Sequence, residues 1–369
     1  MSNDRIFYAC VGVLIKSDAS GSDAPQDGTF LTGVQSVGVN SDFPSSSLPD
    51  PGRAKRKYHF YSPQSFEITI ERIIDKDSNF FYYPSNYSTY QNSHILNNDN
   101  LGSDGIGNLS KGYDVTVLYG SDDQGLLDDG TTVQQVTYRN CLISSISYSM
   151  SVDGPITESV SLTTRAVTYN ETTSVSSYTL PATAQSGNIL KRSHLDFLNQ
   201  SPLPTKKSVL PSEVEDMFDA GGSQGDKRIL GINSIDLEVS IDYSDIIDTG
   251  RWRGSVDQGK QNLYRFIVLP VQVTCSFTGT SRQVYPYALP NVDDNFSPDG
   301  QIRLVSQVDP LSDYFIWDLG GKNYLTNISY DGADTGGGNL QATMSYQNDH
   351  SDAVLVKDSV VRDLTNVMF

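Results

Sequence analysis

The run LGINSIDLEVSI, from Leu230 to Ile241, puts Ile235, Leu237, Val239 and Ile241 on one side of an extended chain. Asp236, Glu238 and Ser240 fall on the other side. A period of two fits a half-buried β-strand and spoils the apolar stripe a helix would need. The same alternation recurs in PQSFEITI, from Pro63 to Ile70, with Phe66, Ile68 and Ile70 opposed to Glu67, Thr69 and Glu71. Ser, Thr, Tyr, Val, Asp and Gly dominate the spaces between such runs. These features predict an all-β fold built from antiparallel strands.

The opening phrase is written twice. GVQSVGV, from Gly33 to Val39, matches GINSIDL, from Gly231 to Leu237, with apolar positions kept apolar and the amide kept an amide. Gly52-Arg53 recurs as Gly250-Arg251. PQSFEITI matches PVQVTCSF, from Pro270 to Phe277, and LISSISY, from Leu142 to Tyr148, matches YLTNISY, from Tyr324 to Tyr330. Matches that keep their order on both sides of a dissimilar segment predict two tandem, diverged copies of one β module. The expected organisation is a first module over 1–170, a linker over 171–226 and a second module with a C-terminal arm over 227–369.

Within that frame, strands are expected at 32–40, 66–71, 113–119, 133–138, 141–151 and 156–168. In the second half they are expected at 229–242, 264–278, 302–308, 323–330 and 339–347. Residues 41–57, with three prolines, and 78–112, rich in Asn, Ser, Tyr and Gly, read as long loops. The linker holds two short helix candidates, over 193–200 and 211–219. The second opens on Pro211-Ser212 and stops before Gly221-Gly222. The N-terminal apolar patch reads as a first strand rather than a leader, so folding in a cytoplasm is expected.

Little points to chemistry. Cys10, Cys141 and Cys275 are odd in number and far apart, which suits buried free thiols. The histidines, His59, His94, His194 and His350, have no ligand-spaced partner. No zincin, nucleophile-elbow or phosphate-loop pattern occurs, so no catalytic residue, no cofactor and no metal site is assigned and an enzyme is not expected. The acidic turns at 121–130 and 291–300 suit solvated turns better than cation loops, lacking an EF-hand's glycine and closing glutamate. No apolar run is long enough for a membrane helix. The net charge of −18 is wrong for a protein that grips phosphates; it suits simple solubility or a surface that repels a polyanion.

The first half carries a recognisable order of phrases. GVQSV from Gly33 to Val37 is followed by the Gly-Arg element, by PQSFEITIERIID from Pro63 to Asp75, and by VDGPITESVSL from Val152 to Leu162. It resembles the tail tube proteins of tailed bacteriophages over roughly 30–168. Gly33, Val34, Gln35, Ser36 and Val37, with Asp153, Gly154, Thr157, Glu158 and Ser159, carry the likeness. The second half loses the phrase after Asp331-Gly332.

The resemblance implies β-sandwich or barrel-like subunits whose strands join into rings that stack into a tail tube. It implies a virion protein, assembled in the host bacterial cytoplasm, that serves genome ejection without binding DNA specifically. Partners would be further copies of itself and other tail proteins such as sheath, tape measure or baseplate, with no membrane. Two modules per chain would make the ring a trimer of pseudo-sixfold symmetry; a hexamer with the second module outside is the alternative. Glu67, Glu71, Asp236 and Glu238, on polar strand faces, are the candidate lumen-facing acids. A carbohydrate-binding or host-adhesion module of the virion, with Tyr82–Tyr87 as stacking residues, is the competing reading, and a glycan-degrading enzyme a third.

Overall fold

The structure is a computed structural model; it describes residues 11–17, 29–49, 56–61, 64–75, 113–120, 132–174, 189–191, 195, 208–218, 231–247, 263–281, 300–307, 314–319, 323–332, 340–348 and 354–358. The chain is all-β. The first half gives β1 (Val11–Ser17), β2 (Thr29–Phe30), β3 (Val34–Asp42), β4 (Ser45–Pro49), β5 (Arg56–Tyr61) and β6 (Ser65–Ile73). It continues with β7 (Tyr113–Gly120), β8 (Thr132–Ser151), β9 (Ile156–Thr164) and β10 (Ala166–Ser174). After α1 (Ser212–Phe218) come β11 (Ile232–Ile247), β12 (Leu263–Thr280), β13 (Arg303–Gln307), β14 (Tyr314–Asp318), β15 (Tyr324–Asp331), β16 (Gln341–Asn348) and β17 (Val354–Asp358).

The pivot of the fold is β8. Its N-terminal part pairs with β7 and β10, and its C-terminal part pairs with β9 and β11. The exchange of neighbours occurs around Asn140, whose φ of 51° is left-handed and whose amide donates to Asp114 Oδ1 at 3.0 Å. Asparagine tolerates that region better than most residues. The polar Arg139-Asn140 step explains why the sequence suggests two strands where the chain runs as one.

Other differences have equally local causes. Residues 45–61 contain the β4–β5 hairpin rather than a loop throughout, and Pro49 sits at its register shift, where a missing N–H costs the ladder little. The expected strand 156–168 is split into β9 and β10, with Arg165 between them. β14 was not expected; its YFIWD run is short and dense in aromatics. The loop at 78–112, both acidic turns apart from Gly300, Tyr82–Tyr87 and Cys10 lie outside the described residues, as does the candidate helix at 193–200 apart from Leu195.

A path of neighbouring strands runs β3-β6-β9-β8-β11-β12-β16-β15 through the 12-stranded sheet, every pair antiparallel. The path keeps one rule across its length. Strands β3, β6, β9 and β8 lie in the same relative order as β11, β12, β16 and β15. Register follows the same rule: Val37 faces Ile70 as Ile235 faces Phe277, and Ile146 faces Val160 as Ile328 faces Met344.

Irregularities coincide too. Register shifts fall at Val34/Ser36 and Ile232/Ser234, and again at Ile143/Ser145 and Leu325/Asn327. At the second pair a hydroxyl meets the same acceptor position, Ser144 Oγ donating to Ser161 O at 3.1 Å and Thr326 Oγ1 to Ser345 O at 2.9 Å. Ile73 N donates to Gly33 O at 2.9 Å as Thr280 N donates to Gly231 O at 2.8 Å. Gly33 is required where it stands, because its φ is 73° and a Cβ there would lie 2.2 Å from Ile73 O. The small β13-β14-β17 sheet has the strand sense of β7, β8 and β10.

The apolar face of the long sheet is buried against a cover drawn from both halves, and the described core residues of the two halves belong to one continuous apolar cluster. The described residues of segment 171–226 contribute to that cover. Leu190, Leu195 and Leu210 are buried, and backbone bridges tie Ile189 to Asp75 and Val209 to Arg303. In α1 the Pro211 carbonyl accepts from Val214 N and Glu215 N, and Glu213 and Glu215 suit the positive end of the helix. Val214, Met217 and Phe218, at helical spacing, are buried. Trp317 of β14 packs edge-on against Tyr148 of β8 at 5.8 Å between ring centroids.

Candidate functional site

The sheet's other face is the feature with functional content. Directly opposed residues share a face, so the register reads it off rung by rung. One rung runs Ser36, Glu71, Ser159, Ser147, Glu238, Thr274 and Gln347 from β3 across to β16. A neighbouring rung runs Thr157, Ser149, Asp236, Ser276, Ser345 and Asn327, from β9 across to β15. Between the bulges the face is made of Ser, Thr, Asn, Gln, Gly, Asp and Glu, with Ile73 at its margin. Among the described residues of these strands it holds no lysine, arginine or histidine.

Its hydroxyls and carboxylates are tied across the strands. Ser36 Oγ donates to Glu71 Oε2 at 2.8 Å and Ser149 Oγ to Asp236 Oδ1 at 2.6 Å. Thr69 and Ser161 hydroxyls lie 3.4 Å apart, and those of Thr278 and Thr343 lie 3.0 Å apart. Such cross-strand pairs contribute about 0.2–1 kcal/mol each. Glu67 and Glu238 are exposed on it, and Asp42 and Asp331 add charge at its two edges. Glu67, Glu71, Asp236 and Glu238, the candidate lumen-facing acids, all lie on this face.

The residues that carry the sequence resemblance divide by role. Gly33, Val34 and Gln35 form the bulge that starts β3, with Gln35 Nε2 donating to Gly33 O at 3.2 Å. Val34 and Val37 pack against the apolar cluster. Asp153 and Gly154 make the turn from β8 to β9, where Gly154 N donates to Ser151 O. Thr157 and Ser159 lie on the polar face.

Glu158 points the other way, into the core. It pairs there with Arg72, both side chains buried, and accepts from Tyr148 Oη at 2.8 Å. Arg72 and Tyr148 are its rung neighbours on β6 and β8. Sequence reasoning singled out Glu158 without finding this partner; the one available signal was an arginine in the inward register of β6. The corresponding rung of the second half holds Gly279, Ala342 and Tyr330.

Titratable groups elsewhere serve packing. Cys141 and Cys275 are buried free thiols, and burial first, then the Asp236 charge, pushes the Cys275 thiol up. Burial, reinforced by Tyr119 and Cys141, raises the Tyr138 phenol to about 12. A phenol raised on folding stays protonated while the unfolded chain ionises, so it contributes stability that is full below pH 10 and shrinks as pH climbs toward 12. Tyr138→Phe should therefore flatten the alkaline fall of the unfolding free energy, read from denaturant titrations between pH 10 and 12, by up to about 1.4 kcal/mol per pH unit. No group of three His, Cys, Asp or Glu side chains suited to a metal occurs among the described residues. No described helix is long and apolar enough to cross a membrane.

Comparison with known proteins adds little. No family model matches the chain, and no curated protein matches it. Among solved structures, a chain of the cryo-EM structure of the anti-feeding prophage (AFP) baseplate, 6-fold symmetrised, is similar at a TM-score of 0.29 and 7% identity. That match covers 46% of this chain and 98% of the other.

Proposed function

We propose that this chain is a structural virion protein that assembles into stacked rings forming a phage tail tube. The observation that carries the reading is the polar face, which is broad, continuous from β3 to β15 and free of cations among its described strand residues. Duplex DNA presents about one negative charge per 1.7 Å, so a wall bearing lysine or arginine would hold it by counterion release. A wall of hydroxyls, amides and carboxylates offers no such grip and lets the duplex slide. The apolar face is already covered, which leaves the polar face to line a conduit.

The phrases that resemble those of tail tube proteins agree with this reading. So does the repeated strand rule, which we take as two copies of one module within one sheet. Six modules per ring, as the family resemblance implies, then need three chains. In this role the protein is a wall and no reaction is assigned to it.

Electron microscopy of the purified chain tests the proposal. Rings or tubes containing three copies per layer are the expected result, and six copies would leave the tube standing but remove the trimer. Dispersed monomers that bind glycans would replace the reading with the adhesion one.

A further inference from the structure

The β8–β11 junction joins the halves of one chain, and the two ends of the sheet are the same kinds of strand as that junction. β3, at one end, is the counterpart of β11; β15, at the other, is the counterpart of β8. Among the described residues each has a single neighbour, β6 and β16 respectively. We infer that β15 of one chain pairs antiparallel with β3 of the next copy, in the register that β8 and β11 use inside the chain. This rests on the ring reading above and specifies the joint that reading leaves open.

The internal junction supplies the register. There Tyr148 faces Leu237 and Ser147 faces Glu238, and Val152 N donates to Asn233 O at 2.9 Å. Carried to the open edges, Tyr330 faces Val39 of the next copy and Ser329 faces its Asn40. The side chains suit that placement. Leu237 and Tyr148 are 4% and 2% exposed at the filled junction, whereas Val39 is 36% exposed at the open edge and Tyr330 is half-buried. Asp331 would face Gly38, which has no side chain, and Asp42 would face Asn327, so no two carboxylates are set directly opposite. Ser329 and Asn40 extend the polar face without a seam, and Tyr330 and Val39 extend the apolar one. An edge left bare is otherwise an aggregation hazard. Because the two edges are different strands the contact is head-to-tail, which builds closed rings when its rotation closes.

Oxidative cross-linking tests the register. The full chain carrying Asn40→Cys with Ser329→Cys is compared with one carrying Asn40→Cys with Tyr330→Cys, and with each single variant. Within one chain these positions lie at opposite ends of the sheet, roughly 30 Å apart at about 4.8 Å per strand, so any disulfide joins two copies. The first variant should yield covalent dimers and trimers at least about tenfold over the slipped pair. Rings that form without that cross-link, or that favour the slipped pair, overturn the register and leave the ring reading intact. Monomers in every variant and in the parent chain remove both.

Discussion

Replacing Glu158 with alanine is expected to cost the folded chain about 3–5 kcal/mol, because it leaves the Arg72 guanidinium buried without its carboxylate. Both side chains of the pair are essentially inaccessible, so water cannot take over the lost partner. Tyr148 also loses an acceptor of its hydroxyl, which adds to the penalty. Urea unfolding should show the midpoint falling with little change in slope. The control that isolates the cause is the triple variant Arg72→Met, Glu158→Leu, Tyr148→Phe, which keeps volume and removes every buried polar tip. It should recover most of the loss, within about 1–2 kcal/mol of the parent chain. If the triple variant is no better than Glu158→Ala, the damage comes from packing of the rung and the charge argument fails. The second half gives a reason to expect recovery, since its corresponding rung of Gly279, Ala342 and Tyr330 holds no charge.

That rung also marks where sequence reasoning stops. Alternation along β6 and β11 made the strand type and inward side legible, because a period of two has one physical meaning in a half-buried sheet. Laying Pro63–Ile70 on Pro270–Phe277 puts Ile68 on Cys275, and in the sheet these two face Val39 and Leu237, residues that the first phrase match also aligns. Pairing across the fold was not legible. Arg72 and Glu158 are joined only by the β6–β9 register, and nothing local in either segment names the other. The unity of β8 was hidden for a related reason, since Arg139-Asn140 breaks the alternation while the ladder continues with new partners. Nor does a single strand reveal that Glu71 and Glu238 share a rung; that takes every pairing between them. The lack of lysine, arginine and histidine among the described strand residues of this face is thus a property of the assembled sheet, though the net charge of −18 hinted at its sign.

Two chains, each blocked at one edge, should form a capped dimer when mixed and remain monomeric when kept apart. Val39→Lys blocks β3, and Tyr330→Lys blocks β15. In a free chain either lysine can lay its stem on the apolar margin and hold its ammonium in water, so folding should survive both changes. At the joint the same ammonium would be trapped on the covered face with no carboxylate opposite, a cost of several kcal/mol that removes assembly. The Val39→Lys chain keeps a sound β15 and the Tyr330→Lys chain a sound β3, so one productive joint remains between them. After it forms, both outer ends are blocked and growth stops at two. Size-exclusion chromatography with light scattering reads the result directly. A contact made by one surface with itself would give no rescue on mixing, and rings formed by either variant alone would show that these edges do not build the joint. Only a head-to-tail pairing of β15 with β3 gives monomer, monomer and dimer in that order.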